Sequence, residues 1–195
     1  MPNEEPVISL ELPRPELSPE TEAYFAKCRE KLGLVPNVLL AYAFDEKKLR
    51  CFTELYNDLM LGVSELTKLE REMIAVVVSS ANRCHYCLVA HGAAVRELSG
   101  DPRLGDTLVA NWRYADLDER QHAMLAYAWK LTESPSEIGP ADTKTLHDVG
   151  FTDRAIWDIA SVAAFFNMTN RVAAATKMRP NDEYYGMARS FGGTA

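Results

Sequence analysis

The sequence predicts an all-α fold, because apolar residues recur at helical spacing and helix caps and turn residues separate the runs. Thr67 with Glu70 three residues later has the form of a capping box, and Ser18 before Pro19 has that of an N-cap and first helical residue. We therefore expect a helical bundle. Its helices should cover residues 19–32, 37–44, 47–61, 68–81, 84–98, 103–112, 118–132 with Asp116 as a cap, 141–149 and 152–178.

Length and composition indicate one helical domain with an appendage at each end. The chain has 195 residues, 47% of them hydrophobic and 25% charged, which is enough to bury one substantial core. Four prolines within residues 1–17 predict an extended N-terminal arm, in which the alternation at residues 8–12 permits at most a short strand. The helical domain is expected over residues 18–180, and residues 181–195 form a C-terminal tail after Pro180.

Charge and hydropathy argue against two classes of partner. The net charge is −7 and the 21 Lys and Arg residues are scattered, whereas a nucleic-acid site needs them clustered. No stretch approaches the roughly 18 uninterrupted apolar residues of a membrane span, and the first residues lack the basic and apolar regions of a signal peptide. We therefore expect a cytoplasmic protein that binds neither nucleic acid nor membranes.

Two segments of the sequence are similar to each other. Residues 66–82 match residues 151–167 at several helical positions, including Asn82 with Asn167. Such self-similarity indicates an old duplication. The second copy lacks the cysteines that follow the first, so only the first half is expected to carry chemistry.

The four cysteines are too few for a disulfide scaffold in a chain of this length. In a reducing compartment a close pair, here Cys84 and Cys87, is more often catalytic or metal-binding. Cys28 and Cys51 fall within apolar helical runs and are expected to be core residues.

Cys84, Cys87 and His91 share one stripe of the helix that begins at Cys84, within an arc of roughly 60°. The imidazole of His91 lies one turn from Cys87 and can accept its thiol proton, while the unpaired N–H groups of the first turn also favour a thiolate. If the chain folds back at residues 82–83, Glu72 on the preceding helix comes level with His91 and can orient it. The sequence therefore predicts a redox dithiol with its own proton acceptor.

Other interpretations of these residues stay open. Residues 70–72 are also typical of a solvated helix face, and the two thiols could be structural, although neither interpretation explains the shared stripe. Zinc is a further alternative, with Cys84, Cys87, His91 and Glu72 supplying three or four ligands. Structural zinc sites usually combine two separated ligand pairs, and the sequence has no second Cys-x-x-Cys or His-x-x-x-His.

The remaining histidines and Tyr86 are expected to be surface or packing residues. His85 points away from the stripe, and His122 and His147 lie in separate helices, so no role is assigned to them. Tyr86 lies between the cysteines, where an aromatic ring more often packs than reacts.

Glu72 and the run Cys84-His-Tyr-Cys-Leu-Val-Ala-His91 resemble the AhpD-like alkylhydroperoxidase and carboxymuconolactone decarboxylase superfamily, whose redox members show Glu, Cys, Cys and His at these intervals. The resemblance covers most of residues 18–180 and implies an AhpD-like helical bundle that forms a homo-oligomer. The decarboxylases of the superfamily lack the dithiol, so its presence here favours redox chemistry. Three further segments look like the uncharacterised peroxidase-related subgroup: residues 34–37, 70–73 and 164–171.

The resemblance implies a thiol-dependent peroxidase with no cofactor. In such an enzyme Cys87 attacks a small hydroperoxide to form a sulfenic acid, and Cys84 resolves it as a disulfide. His91 and Glu72 form the proton relay that activates Cys87, and an external dithiol protein or small thiol resets the enzyme.

Three points are not fixed by the resemblance. The spacing alone leaves open which cysteine attacks first. It also leaves open a redox sensor or a disulfide reductase, which would use the same dithiol without a preference for peroxide. Alkylhydroperoxidases often carry a His just before the second cysteine, where this chain has Tyr86, so their proton-transfer details need not carry over.

Overall fold

Helices account for the regular secondary structure of residues 6–190, the part of the chain that this computed structural model describes. The all-α prediction is confirmed: these residues contain no strand, and none of their helices has the length and hydropathy to cross a bilayer. The helices are α1 (Pro19–Leu32), α2 (Asn37–Tyr42), α3 (Glu46–Leu61), α4 (Lys68–Ala81), α5 (His85–Ser99), α6 (Pro102–Asn111), α7 (Glu119–Glu133), α8 (Pro140–Asp148), α9 (Asp153–Ala175) and α10 (Glu183–Gly186), with 3₁₀ turns at Trp112–Tyr114 and Pro135–Glu137.

Helix α4 is the centre of the fold and contacts α5, α6, α7 and α9. The six consecutive side chains from Met73 to Val78 are fully buried, so this helix is covered around its whole circumference instead of along one stripe. Burying one Val or Ile side chain contributes about 1.5–3 kcal/mol. The packing of α4 therefore fixes the position of Glu72, which immediately precedes this buried run.

Capping interactions set where α4 and α7 begin. At α4 the Thr67 hydroxyl accepts from the Glu70 N–H at 3.1 Å, and the Glu70 carboxylate accepts from the Thr67 N–H at 2.7 Å. The expectation that Asp116 caps α7 is wrong, because Asp118 is the N-cap. Its carboxylate accepts from the Gln121 N–H at 2.7 Å, and the Gln121 side chain accepts from the Asp118 N–H in return. This reciprocal pair, which Asp116 cannot form, fixes the helix start.

A tight turn reverses the chain between α4 and α5. Arg83 takes a left-handed backbone conformation with φ of 54°, and the Cys84 N–H donates to the Ser79 carbonyl at 3.0 Å. Asn82 ends α4, and its side chain donates to the Val78 carbonyl at 3.1 Å. The two helices consequently pack against each other, which brings side chains of α4 beside the first turns of α5.

At the N-terminal end, residues 6–17 are not helical. The Ser9 N–H donates to the Thr176 carbonyl at 2.8 Å, but no strand forms at residues 8–12. Residues 1–5 of the predicted arm lie outside the described residues. The boundaries between arm, helical domain and tail remain predictions, and so does the internal duplication.

At the C-terminal end, α9 stops at Ala175, three residues earlier than expected, because Lys177 adopts a left-handed φ of 49°. The predicted tail contains the short helix α10, which packs against α5. The last five residues of the predicted tail, 191–195, lie outside the described part of the chain. Buried Arg96 of α5 donates to the carbonyls of Tyr184 at 2.8 Å and Met187 at 3.0 Å and so anchors this segment.

Candidate active site

The dithiol lies at the start of α5. Cys84 is the N-cap residue and Cys87 belongs to the first helical turn, so the two side chains lie one turn apart on the same side. Their Sγ atoms are 3.1 Å apart, and the exposed fractions of the two residues are 2% and 3%. Both thiols are free, and the distance allows one of them to donate a hydrogen bond to the other sulfur.

Glu72 and His91 form a hydrogen-bonded pair between α4 and α5. The Oε2 atom of Glu72 lies 2.6 Å from Nδ1 of His91, and both side chains are largely buried. A carboxylate can only accept, so Nδ1 carries the hydrogen and Nε2 is left as a proton acceptor. The ring of His91 also packs edge-on against Phe166, with centroids 4.6 Å apart. These contacts hold the imidazole in one tautomer and one orientation.

The hydrogen bond between the sulfurs separates the acidities of the two thiols. Accepting the Cys87 hydrogen lowers the pKa of Cys84 from 9.0 to about 7 in spite of burial, and the neighbouring His91 ring adds to the lowering when it is protonated. The same hydrogen bond, together with burial, raises the pKa of Cys87. The pair therefore releases one proton near neutral pH and retains the second. Sequence spacing favours Cys87 as the activated thiol, whereas the geometry favours a resting thiolate on Cys84.

A cavity of about 430 Å³ reaches the dithiol from one side. Its lining comes from α1, α2, α3, α4, α5, α9 and α10. Among the residues that the structure describes, Cys87, His91 and Glu72 line the cavity and Cys84 does not. A molecule in the cavity therefore meets Cys87 before Cys84. The lining is largely apolar, as is typical of sites for uncharged ligands. Its rings include Tyr24, Tyr42, Phe52, Tyr56, Phe165 and Tyr184.

Cys28 and Cys51 differ from the expected core residues. Cys28 is only partly buried and lines the same cavity as Cys87, and burial raises the pKa of its thiol. Cys51 is exposed, so its assignment to the core is wrong. The buried face of α3 carries Leu49 and Phe52, and the helical turn directs Cys51 away from that face.

The other aromatic and histidine residues of the sequence have partners outside the dithiol. Tyr86 is buried, and its hydroxyl accepts from the Val38 N–H at 3.1 Å, which ties α5 to α2. Within residues 6–190, no three His, Cys, Asp or Glu side chains are arranged to hold a metal ion, so the zinc alternative gains no support from the geometry. The contacts of the three remaining histidines are His85 with Tyr185, His122 with Trp112 and His147 with Phe151.

Two buried polar residues near the dithiol were missed by the sequence reasoning. The Nδ2 atom of Asn170 in α9 donates to the Ser79 hydroxyl in α4 at 3.0 Å, and both side chains are buried. Asn170 belongs to the segment 164–171 that carries part of the family resemblance. The signal that identifies it is a polar residue on the buried face of an otherwise apolar helix, since such groups require specific partners.

The sequence and the structure match known proteins over most of the chain. The sequence model of the carboxymuconolactone decarboxylase family matches residues 46–129. An uncharacterised peroxidase-related protein from Silicibacter sp. TM1040, known from its crystal structure, is 61% identical with a TM-score of 0.93, over 97% of this chain and 100% of that one. The chain therefore belongs to the carboxymuconolactone decarboxylase family, among its AhpD-like members.

Two further solved structures show the range of this fold. An uncharacterised peroxidase-related protein from Ralstonia eutropha JMP134, described as an alkylhydroperoxidase AhpD core, is 41% identical with a TM-score of 0.91, over 95% of this chain and 98% of that one. The debrominase Bmp8, in a variant bound to 2,3,4-tribromopyrrole, is 19% identical with a TM-score of 0.75, over 94% and 96% of the two chains. That likeness shows the fold alone. Proteins of curated function yield no match.

Proposed function

We propose that this chain is a thiol-dependent peroxidase that reduces hydroperoxides through a dithiol–disulfide cycle of Cys84 and Cys87. The observation that carries the proposal is the 3.1 Å separation of two free Sγ atoms beside a cavity. Sulfurs this close reach disulfide geometry with only small side-chain rotations. The peroxidase-related names of the two most similar structures quoted above support the same class of activity.

Cys87 is the attacking residue in this proposal, because it is the member of the dithiol that lines the cavity. The Nε2 atom of His91 accepts the Cys87 proton, and the sulfur attacks the terminal peroxide oxygen. An S–O bond forms as the O–O bond breaks, and the imidazolium returns the proton to the departing alkoxide. The products are a sulfenic acid on Cys87 and an alcohol, or water when the substrate is hydrogen peroxide.

The resting thiolate on Cys84 is compatible with this order. The proton shared between the sulfurs needs to move only across a 3.1 Å contact to leave Cys87 ionised and Cys84 protonated. In that case the departing alkoxide takes its proton from solvent in the cavity. The low pKa of Cys84 is caused mainly by the hydrogen bond from Cys87. Because the two thiols titrate together, it describes the loss of one proton from the pair, and either sulfur can carry the resulting charge near neutral pH.

Cys84 resolves the sulfenic acid. After His91 accepts the Cys84 proton, the Cys84 sulfur attacks the sulfur of Cys87, an S–S bond forms, and the S–O bond breaks. The departing hydroxide takes the proton from the imidazolium and leaves as water. In each transfer the Glu72 carboxylate, 2.6 Å from Nδ1, faces the positive charge on the ring. An external dithiol then returns two electrons and two protons to the disulfide.

The cavity lining supports an uncharged substrate with an apolar body. Its walls are mainly aliphatic and aromatic side chains; of the charged residues in the lining, Glu72 is paired with His91, and the others are Lys31, Lys68 and Glu97. A hydroperoxide carries no charge near neutral pH and needs only to place its O–O bond against one sulfur. A volume of about 430 Å³ lies in the range of small-molecule sites.

Trapping of sulfenic acid in cysteine variants tests the proposal. In Cys84→Ser the oxidised Cys87 has no resolving partner, so a sulfenic acid accumulates and reacts with dimedone after addition of hydroperoxide. Cys87→Ser is expected to give no trapped product at Cys84. The matched control Cys28→Ser removes the other thiol of the cavity and should leave disulfide formation intact. Efficient trapping in Cys87→Ser would contradict the assignment.

A comparison of oxidants separates the peroxidase from the other two interpretations. Stopped-flow oxidation of the reduced protein should be faster with organic hydroperoxides and hydrogen peroxide than with a small-molecule disulfide at equal concentration. Equal rates would favour a redox sensor or a disulfide reductase. Stoichiometric zinc that blocks thiol titration, in protein purified without chelator, would favour the metal site.

A further inference from the structure

A cluster of four polar residues, two of them buried and two partly buried, lies beside the dithiol and is not part of the cavity lining. It consists of Ser79 and Asn82 at the end of α4 together with Asn167 and Asn170 in the second half of α9. Ser79 and Asn170 are 0% and 1% exposed. The Cys84 N–H donates to the Ser79 carbonyl at 3.0 Å, so this part of α4 is joined directly to the first residue of the redox motif.

The hydrogen bonds of Asn170 fix which way its amide points. The Nδ2 atom of Asn82 lies 3.0 Å from Oδ1 of Asn170, so the Asn170 oxygen accepts and its NH₂ group faces the other way. One hydrogen of that NH₂ group goes to the Ser79 hydroxyl oxygen at 3.0 Å. The two hydrogens of the Asn82 amide are shared among three acceptors: Oδ1 of Asn170, the Val78 carbonyl at 3.1 Å and Oδ1 of Asn167 at 3.0 Å. The second hydrogen of the Asn170 amide therefore has a fixed direction.

Ser79 is fixed in the same way. Its oxygen accepts from Asn170, so its own hydrogen is left to donate to a further acceptor. Because the Ser79 carbonyl accepts from the Cys84 N–H at 3.0 Å, the Ser79–Asn170 pair lies beside the first residue of the dithiol. The pKa of Cys87, raised mainly by the Cys84 hydrogen bond and by burial, is lowered by Asn170 and Ser79. The pKa of Cys84, lowered mainly by the Cys87 hydrogen bond, is lowered also by Asn170.

Fixed donors of this kind stabilise an anion without reorganising when the charge appears. His91 and Glu72 line the cavity, whereas Ser79 and Asn170 stand outside its described lining, so the two groups act on the dithiol from different sides. We propose that the Asn170 amide and the Ser79 hydroxyl donate hydrogen bonds to whichever dithiol sulfur carries negative charge, and thereby set how readily the reduced dithiol ionises and how oxidising its disulfide is. This role does not depend on which oxidant the dithiol meets.

The expected effect is large enough to measure. Loss of a hydrogen bond to a charged group changes an ionisation equilibrium by about ten- to a hundredfold, which is a change of about one to two in pKa. Loss of either donor should therefore raise the first pKa of the dithiol by about one or more and reduce the thiolate fraction at pH 7 several-fold. The reduced form also loses stability relative to the disulfide, so the reduction potential becomes more negative.

Thiolate absorbance as a function of pH tests the proposal directly. The variants are Asn170→Leu and Ser79→Ala, each in protein that carries Cys28→Ser and Cys51→Ser so that only the dithiol titrates. Asn167→Leu is the matched control, because Asn167 belongs to the same polar cluster and bonds Asn82, Thr132 and the Ala163 carbonyl. Circular dichroism identifies the variants that retain the helical fold, and Ser79→Ala, which removes a single oxygen, is the milder of the two.

The result expected is a raised first pKa and a more negative potential in Asn170→Leu and Ser79→Ala, with little change in Asn167→Leu. An unchanged pKa in folded Ser79→Ala and Asn170→Leu would overturn the proposal, and so would an equal shift in Asn167→Leu, which would show a merely structural role. The titration uses no peroxide, so these outcomes stay separate from the peroxidase assignment: a protein inert to hydroperoxide can still pass or fail this test.

Discussion

The hydrogen bond between the two sulfurs is expected to control the pKa of Cys84. Its pKa of about 7, against 9.0 for an ordinary thiol, has the Cys87 hydrogen bond as its largest cause. The substitution Cys87→Ala removes that donor and leaves burial, which opposes ionisation. We therefore expect the pKa of Cys84 in Cys87→Ala to return to 9.0 or above.

The magnitude follows from the size of this change. A pKa that falls from 9.0 to about 7 corresponds to roughly 3 kcal/mol of added stabilisation of the thiolate. At pH 7 about half of the dithiol is then singly ionised, whereas a thiol of pKa 9.0 is ionised in only about one molecule in a hundred. Cys87→Ala should accordingly reduce the thiolate signal at pH 7 by a factor of about 50.

The assay is ultraviolet absorbance of the thiolate across a pH titration of reduced protein that lacks Cys28 and Cys51. The reciprocal variant Cys84→Ala is the control. It should lower the pKa of Cys87 relative to the intact pair, because the Cys84 hydrogen bond is the largest cause that raises it. Two results together would refute this explanation: both thiols of the wild-type protein ionise near pH 9, and the pKa of Cys84 is the same in Cys87→Ala as in the wild type.

Three further predictions concern the relay, pH-dependent stability and the C-terminal helix. Glu72→Gln keeps the shape but removes the charge that faces the His91 ring, so single-turnover oxidation of the dithiol by hydroperoxide should slow by about tenfold or more. The reduced protein should gain about 2 kcal/mol of unfolding free energy between pH 7 and 9, measured by urea unfolding and absent in Cys84→Ala. The reason is that the unfolded thiols keep their protons up to about pH 9.0, whereas Cys84 of the folded protein releases its proton near pH 7. Above pH 9 the unfolding free energy falls again, because the raised pKa of Cys87 keeps that thiol protonated in the folded protein. Arg96→Met removes the bonds to two carbonyls of the C-terminal segment and should release α10, seen as faster proteolysis there and a loss of about 2 kcal/mol or more in stability.

The helices and the α4–α5 hairpin could be predicted from capping and turn residues in the sequence. Thr67 with Glu70 fixes the start of α4, and the break at residues 82–83 fixes the reversal. Once the reversal is known, helical rise alone places Glu72 level with His91, and the structure brings these two side chains to 2.6 Å. Local chemistry and simple helix geometry are sufficient there, because all the residues lie within two consecutive helices.

The features that sequence reasoning missed depend on contacts between distant segments. Asn170 meets Ser79 only because α9 packs against α4, and periodicity in one helix does not indicate that contact. The anchoring of α10 by Arg96 likewise joins residues far apart in the chain. The exposure of Cys51 has a different cause, since one step along α3 turns its side chain about 100° away from buried Phe52.

The acidity of the dithiol could not be read from spacing either. The interval from Cys87 to His91 suggests that the imidazole activates Cys87, yet the largest contribution comes from the neighbouring sulfur. A hydrogen bond between sulfurs depends on side-chain rotamers within the first turn, and the sequence places both cysteines there without fixing their directions.

The central claim is that one hydroperoxide molecule oxidises Cys84 and Cys87 to a disulfide. The most direct measurement adds hydroperoxide in increments to reduced protein that lacks Cys28 and Cys51, counts the remaining thiols, and locates the crosslink by peptide mass spectrometry. We predict the loss of two thiols for each peroxide consumed and a single crosslinked peptide pair, Cys84 with Cys87. Peroxide that is consumed without this crosslink, or thiols that persist in excess peroxide, would contradict the account.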